Sequence, residues 1–252
     1  MEYSGRTDIG KDRTANEDSF LMLEKAPFYL FMVADGMGGH AAGDVASSLA
    51  ADSLRDYFEK NIYSLEKTAE DKQIEQFFST MLEQANAQIW KHACSHQSRC
   101  GMGTTLSAVL LNKDKYYIGH IGDSRVYLVG EGEIRQLTRD HSLVAALVEK
   151  GELSKEEADS HPQRNILTRA FGTAPAVPAD YYSGRVNPGE YLLLCTDGLT
   201  SMVSDGEIFA ACRDKDSPER IVDYLVLAAN ERGGHDNITV IVIRTSKVRG
   251  DK

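Results

Sequence analysis

The chain has 252 residues, of which 42% are hydrophobic and 26% are charged, a composition typical of a globular protein rather than a disordered or fibrous one. Its 38 Asp and Glu residues outnumber its 28 Lys and Arg residues, and the net charge of −10 speaks against nucleic acid or anionic lipid as a partner. The four cysteines lack the spacing of a disulfide framework or a zinc site, and we find no signal peptide or membrane-spanning stretch. We therefore expect a cytoplasmic protein that does not insert into a membrane.

The first part of the chain combines a buried strand with two long helices. Residues 29–34 form a short apolar run, which predicts a strand that stops at Asp35-Gly36. Apolar residues at helical spacing then predict helices over residues 43–60 and 72–92. An antiparallel helix pair is the simplest interpretation of these two segments.

The rest of the chain is rich in strands. A late helix is predicted to start at Ser217-Pro218, with a cap residue before proline, and to stop at Gly233-Gly234. Hairpin spacing dominates, so we expect antiparallel sheets covered by helices. The predicted strands occupy residues 106–111, 115–121, 125–129, 134–137, 191–196 and 237–244.

Residues 142–172 interrupt this succession of strands. Two short helices are predicted there, over residues 143–150 and after a capping box that begins at Ser154. A small helical insertion between strands often forms a mobile flap over a site, and this is our hypothesis for the segment.

Aspartates recur where the predicted strands end. Asp35, Asp123 and Asp197 each follow an apolar strand, and Asp236 stands immediately before one. If these ends meet at one edge of a sandwich, each carboxylate raises the pKa of its neighbours unless a cation neutralises them. Oxygen ligands select Mg²⁺, Mn²⁺ or Ca²⁺, and two such ions about 3.5–4 Å apart activate water for attack on a phosphate. Because Asp-Gly is also a common turn, the pattern alone leaves both interpretations open.

A polar stretch near the N-terminus offers further candidates. Glu17 and Asp18 could join the acidic edge, and Arg13 could grip a phosphate through its planar fork of donors. An ordinary charged loop is the simpler interpretation of these residues.

Seven short motifs occur in order along the chain. Together they resemble the metal-dependent serine/threonine protein phosphatases of the 2C type, in their compact bacterial form, over residues from about 4 to 244. No single motif is as specific as the ordered set. The motifs occupy residues 13–18, 33–40, 101–105, 119–125, 140–142, 195–199 and 234–239.

The resemblance implies an α+β fold, a four-layer αββα sandwich of two antiparallel sheets flanked by helices. It implies one catalytic domain over residues 1–246, with residues 142–172 as the variable flap and residues 247–252 as a short tail. The implied activity is hydrolysis of phosphoserine and phosphothreonine on proteins by a metal-activated water. Two core Mn²⁺ or Mg²⁺ ions, and a weaker third ion, would support it.

The resemblance also assigns roles to residues of this chain. Asp35 would bridge the core ions, Arg13 would bind the substrate phosphate, and Asp35, Arg13 and Asp197 would be catalytic. Glu17 would act through a water on a core ion, and Asp123 would hold the third ion together with Asp197. The predicted metal ligands are Glu17, Asp18, Asp35, the carbonyl of Gly36, Asp123, Asp197 and Asp236.

One position departs from the animal branch of the family. There a histidine after the Asp-Gly pair is proposed as the general acid, whereas this chain has Met37, which cannot donate a proton. Two proton donors to the leaving oxygen stay open. One is a water on a metal ion, and the other is His40, which titrates in the right range but, as a loop histidine, is more often structural.

Two alternatives concern the activity itself. The chain could be a catalytically inactive regulatory module of the same fold, although every matching acidic position is occupied. It could also be a metallohydrolase of small phosphate esters or diesters, because a fold and a metal site do not determine the substrate. The family setting suggests phosphorylated proteins as substrates, a bacterial serine/threonine kinase as the opposing enzyme, and a monomer.

Overall fold

The computed structural model describes residues 1–38, 42–65, 69–95, 97–130 and 132–245. His40 and the tail at residues 247–252 lie outside the described residues. Within those ranges, every helix is too short or too polar to span a lipid bilayer.

Two antiparallel sheets form the centre of the molecule. The first has the strand order β1-β11-β10-β7-β8, and the second has the order β2-β3-β5-β6-β9, with the two-residue β4 paired to the end of β3. In the described ranges the strands are β1 (Glu2–Asp8), β2 (Asp18–Lys25), β3 (Phe28–Met37), β4 (Gly103–Thr104), β5 (Leu106–Asn112), β6 (Lys115–Ile121), β7 (Arg125–Val129), β8 (Ile134–Gln136), β9 (Asp180–Arg185), β10 (Tyr191–Cys195) and β11 (Ile238–Arg244).

Helices cover the outer face of each sheet. The first two pack on the second sheet, and the last two pack on the first sheet, so the layers alternate as αββα. This confirms the α+β sandwich that the sequence predicts. In the described ranges the helices are α1 (Gly43–Asn61), α2 (Asp71–Ser95), α3 (Leu143–Glu149), α4 (Lys155–Asp159), α5 (Asp197–Thr200), α6 (Asp205–Asp214) and α7 (Pro218–Glu231).

Strand β3 shows why its sequence is a continuous apolar run. Successive side chains point to opposite faces of a sheet. Leu30 and Met32 pack under the helices, whereas Phe31 and Val33 pack between the sheets, and all four are fully buried. Because both faces are covered, the strand has no polar side until it reaches the sheet edge.

The strand also extends further than predicted. It runs through Asp35 and Gly36 to Met37, because Gly36 and Met37 pair with β4. Asp35 therefore lies within the extended backbone rather than in a turn. This placement matters because a strand holds a side chain more rigidly than a loop does.

The late helix and the flap segment follow their capping signals. Ser217 accepts a hydrogen bond from the backbone of Arg220, with Pro218 at the first turn of α7. Ser154 and Glu157 form the predicted capping box at the start of α4. Helices α4 and α7 begin where their capping signals predict.

The two ends of the described chain meet in the first sheet. Strand β11 lies between β1 and β10, and Glu2 is in register with Arg244. This arrangement brings the residues that follow β1 close to the residues that precede β11.

Candidate active site

A cleft of about 660 Å³ opens at one edge of the sandwich. Strand β3 enters it, β6 and β10 end beside it, and β11 begins at it, so the predicted convergence of strand ends is present. Seven of the eight predicted site residues line this cleft. They are Arg13, Glu17, Asp35, Gly36, Asp123, Asp197 and Asp236.

The backbone of Asp35 is held by the segment that enters β5. Its N–H donates to Oγ1 of Thr105 at 2.9 Å, and its carbonyl accepts from the N–H of Thr105 at 2.8 Å. The hydroxyl of Thr104 donates to the same carbonyl at 2.8 Å. With its backbone polar atoms satisfied in this way, Asp35 presents its carboxylate to the cleft.

Two glycines let Glu17 approach the first turn of α1. A Cβ built on Gly36 would lie 2.0 Å from the carbonyl oxygen of Gly43, and one built on Gly43 would lie 2.4 Å from Oε2 of Glu17. Neither position tolerates a side chain without movement of its surroundings. The carboxylate of Glu17 thus sits at a helix N-terminus, where the peptide dipoles favour negative charge.

Arg13 and Asp236 form an ion pair on the cleft wall. Nη2 of Arg13 donates to Oδ2 of Asp236 at 2.7 Å. Burial opposes the charge of Arg13, but its pKa is nevertheless raised by Asp236 first and then by Asp35 and Glu17. The guanidinium is therefore a fixed positive charge among carboxylates.

Asn237 ties the N-terminal loop to this wall. Its Oδ1 accepts from the N–H of Glu17 at 2.8 Å, and its Nδ2 donates to the carbonyls of Ile9 and Ala15 at 2.9 and 3.0 Å. Its own N–H donates to Oδ1 of Asp236 at 2.8 Å. Asn237 thus contacts two candidate ligands, Glu17 through its side chain and Asp236 through its backbone N–H.

Asp18 is the predicted residue that the cleft wall does not include. It is 8% exposed, and its Oδ2 accepts from the hydroxyls of Thr196 at 2.8 Å and Thr239 at 2.6 Å. Thr239 belongs to β11 of the other sheet and Thr196 directly follows β10, so Asp18 connects the two sheets. Its role as a metal ligand stays a prediction.

The acidic groups strongly oppose one another's ionisation. Burial raises the pKa of Asp35 well above its usual range, and repulsion from Asp18, Asp197 and Asp123 adds to this. Burial, then Asp197, likewise raises the pKa of Asp123, and burial raises the pKa of Asp18 to about 7. A cation in the cleft would relieve this repulsion.

The donor atoms fit a hard divalent cation. Oδ1 of Asp18 and Oδ1 of Asp197 are buried without a hydrogen-bond partner among the described residues, and a buried unpaired carboxylate oxygen is costly. Across the described ranges, no three His, Cys, Asp or Glu side chains converge tightly enough to hold an ion unaided. Water would therefore complete the coordination, as Mg²⁺ prefers.

Several residues of the site had no role assigned to them from the sequence. Asn237 and Thr105 stand inside the quoted motifs, but no role was predicted for them. Asn165 and Leu167 reach the cleft from the flap segment. Met37 also lines the cleft.

An αββα sandwich with an acidic cleft at its edge and one arginine among the carboxylates is the arrangement expected of a metal-dependent phosphatase. The family profile described as Protein phosphatase 2C matches residues 5–238, and the chain belongs to this family. It is a serine/threonine phosphatase of the 2C type, as the motifs predict. Activity that depends on Mn²⁺ or Mg²⁺ follows from membership in this family.

Similar proteins span nearly the whole chain. Serine/threonine phosphatase stp of Listeria welshimeri is 43% identical over 244 residues, which are 96% of this chain and 95% of the relative. The structure of serine/threonine phosphatase Stp1 from Staphylococcus aureus has a TM-score of 0.90 and 36% identity, over 97% of this chain and 95% of that one. The catalytic domain of the serine threonine protein phosphatase PstP, solved with 2 manganese ions, has a TM-score of 0.84 and 32% identity, over 98% of each chain.

Proposed function

We propose that this phosphatase holds two core Mn²⁺ or Mg²⁺ ions, and a weaker third ion, among the carboxylates of the cleft. The observation that carries the proposal is the convergence of the five predicted acidic ligands Glu17, Asp35, Asp123, Asp197 and Asp236 with Arg13 in one cleft. Asp35 would bridge the core ions, and Asp123 with Asp197 would hold the third. The orphaned oxygen of Asp197 supports its part in this set. The solved relative PstP, with 2 manganese ions, supports two as the core number.

The protein's own groups orient the substrate. Arg13 would bind the phosphate through its fork of N–H donors, and its ion pair with Asp236 holds the guanidinium in place beforehand. Thr104 and Thr105 keep the backbone of Asp35 still while the reaction proceeds. Divalent ions in such a cleft supply a nucleophile from water near neutral pH and offset the charge of the attacked phosphate.

The leaving seryl or threonyl oxygen needs a proton that Met37 cannot give. Met37 lines the cleft, so the described wall offers a thioether at this position instead of an acid. A water on a metal ion stays our first candidate for the donor. His40 stays the second, outside the described residues.

The substrates are phosphoproteins, and we propose a cognate serine/threonine kinase as the opposing enzyme and a monomeric, cytoplasmic phosphatase. The net charge of −10 argues against nucleic acid as a partner. The inactive-module alternative loses its support for two reasons. Every acidic position of the matching motifs is occupied, and the similar proteins are named as phosphatases.

Turnover measurements test the site assignment. We expect Mn²⁺- or Mg²⁺-dependent hydrolysis of a phosphothreonine peptide and of p-nitrophenyl phosphate, with at least about a hundredfold loss on Asp35→Ala or Asp197→Ala. The control is Asp52→Ala, which removes an exposed carboxylate on α1. Full activity of Asp35→Ala would overturn the assignment, and faster turnover of a nucleotide or a phosphodiester would favour the small-ester alternative.

The number of ions is measured separately. Titration calorimetry with Mn²⁺ should resolve two tight sites and one weaker site, and Asp123→Ala should remove the weak one alone. Loss of a tight site in that variant would contradict the proposed roles. A phosphoproteome comparison, with Asp35→Ala as the inactive control, would then identify the substrates.

A further inference from the structure

His141 connects the cleft wall to the flap through all four of its polar atoms. Its N–H donates to the carbonyl of Gly122 at 2.7 Å, and its ring Nδ1 accepts from the N–H of Gly122 at 3.1 Å. Its carbonyl accepts from the N–H of Thr168 at 2.8 Å, and its Nε2 lies 3.1 Å from Oδ2 of Asp180. The His141 side chain is 3% exposed, and that of its partner Asp180 is 32% exposed.

The contacts of the ring determine its protonation state. Because Nδ1 accepts a hydrogen bond from a backbone N–H, the ring proton sits on Nε2 and is donated to Asp180. Burial lowers the pKa of His141, so the ring is neutral near pH 7. Because both ring nitrogens of His141 are hydrogen-bonded, the ring is held in one orientation.

Asp180 passes the connection on to the flap. Nη1 of Arg169 donates to Oδ1 of Asp180 at 2.8 Å, and Nη2 donates to Oδ2 at 3.3 Å. Burial alone would raise the pKa of Asp180, but the hydrogen bonds from Arg169 and His141 lower it to about 2. The carboxylate is therefore charged, and it binds both partners at once.

The two ends of this chain of contacts both lie next to residues that line the cleft. Asp123, which lines the cleft, directly follows Gly122, and Asn165 and Leu167 line the cleft from the flap just before Thr168. Backbone pairing of Ser142 with Leu167 reinforces the connection. A shift of Arg169 would therefore move residues on both sides of this chain of contacts.

We propose that His141, Asp180 and Arg169 are positioning residues that set the distance between the flap and the Asp123 wall, and so control binding of the peptide part of the substrate. The proposal rests on the proposed function of the cleft. Asn165 and Leu167 carry no positive charge and do not compete with Arg13 for the phosphate. An amide and an apolar side chain at the rim suit the residues that flank a phosphorylated side chain.

Arg169→Met tests this, because it keeps the length of the side chain and removes the bidentate contact. We expect KM for a phosphothreonine peptide to rise about tenfold, with kcat within about twofold. Turnover of p-nitrophenyl phosphate, which has no peptide, should stay within about twofold of wild type. Arg169→Lys should recover part of the peptide KM, because it restores the charge but not the fork.

Asp180→Asn and the double variant show whether the residues act as one unit. If they do, Arg169→Met combined with Asp180→Asn should be no worse than the more affected single variant. Arg185→Met is the matched control, since Arg185 lies at the other end of β9 in an exposed ion pair with Asp114. Its peptide KM should be that of wild type.

Three results would overturn the proposal: an unchanged peptide KM in Arg169→Met, equal losses on both substrates, or additive losses in the double variant. Thermal melting of each variant separates a misfolded protein from a repositioned flap, and Arg169→Lys remains informative if the methionine variant does not fold. Failure of the proposed function itself looks different, because the wild-type enzyme would then lack metal-dependent turnover of either substrate.

Discussion

Arg13 and Asp236 are joined by an ion pair of 2.7 Å although 223 positions separate them in the chain. The pair places the phosphate-binding candidate against a metal-ligand candidate, so the two functions share one wall. Asn237 supports the wall from behind through its contacts with the N-terminal loop.

Removal of Arg13 should lower kcat/KM because the enzyme loses hydrogen bonds to the substrate phosphate. Hydrogen bonds to charged groups contribute about 1.5–3 kcal/mol, so we expect kcat/KM on a phosphopeptide to fall about ten- to a hundredfold in Arg13→Ala. Arg13→Lys should be intermediate, because an ammonium lacks the planar fork. Arg6→Ala, which breaks an exposed pair with Asp223, is the control. Wild-type kinetics in Arg13→Ala would exclude the phosphate role.

The stability of the metal-free protein should depend on pH through Asp18. Its pKa is raised by burial from 3.8 to about 7, so between these values the folded state holds a proton that the unfolded chain has released. Stability from this group is therefore present below about pH 4 and is lost as pH rises through about 7. With metal removed by a chelator, we expect the Tm of Asp18→Asn relative to wild type to increase over this range.

The effect of a divalent metal ion on the Tm tests this pH dependence. Added Mn²⁺ should raise the Tm of wild type most at the upper end of the range, where the carboxylates are ionised. A Tm difference between Asp18→Asn and wild type that stays flat with pH would show that Asp18 titrates normally.

The hydroxyl of Thr239 should stabilise the fold through Asp18. Thr239→Val keeps the shape of the side chain but removes a 2.6 Å hydrogen bond to a buried carboxylate. We expect the free energy of unfolding of the metal-loaded protein to fall by about 1.5–3 kcal/mol in urea titrations. Thr239→Ser keeps the hydroxyl and should lose less than half as much. Equal losses in the two variants would assign the effect to packing.

Gly198 and Gly206 have different surroundings, so replacing each by alanine should have different effects. A Cβ at Gly198 would lie 2.0 Å from the carbonyl oxygen of Asn237, whereas one at Gly206 would meet no described atom within 4 Å beyond its chain neighbours and its own helix backbone. Gly198→Ala should cost about 1–3 kcal/mol in unfolding free energy and reduce turnover by displacing Asp197. Gly206→Ala, in the first turn of α6, should add up to about 1 kcal/mol and leave turnover unchanged. Chemical denaturation and phosphopeptide assays measure both effects.

Sequence periodicity predicts the long elements with continuous apolar runs or stripes and misses some of the shorter or more polar ones. The long helices and strands such as β3 and β11 have apolar faces that the spacing shows. Strand β9 (Asp180–Arg185) is partly exposed at every second residue and contains Gly184, so it carries little apolar signal. Helix α6 was not predicted either, although its capping box at Ser204 and Glu207 is visible in the sequence.

The site was predictable in its acidic residues and not in their supports. Aspartates beside strand ends are visible in the sequence. Asn237 and Thr105, in contrast, contact residues that are distant in the sequence and near only in the folded chain. Asp18 shows a further limit. Glu17, just before β2, lines the cleft, whereas Asp18, the first residue of β2, hydrogen-bonds to Thr239 of the other sheet.

Because β11 is an interior strand of its sheet, the order of synthesis has a consequence for the enzyme. Ribosomes deliver the amino end first, so Arg13, Glu17 and Asp35 emerge long before Asp236 and the strand that seats it between β1 and β10. Until that strand arrives, the first sheet is split and the phosphatase has no complete site. A nascent copy that still lacks β11 is therefore expected to have no phosphatase activity.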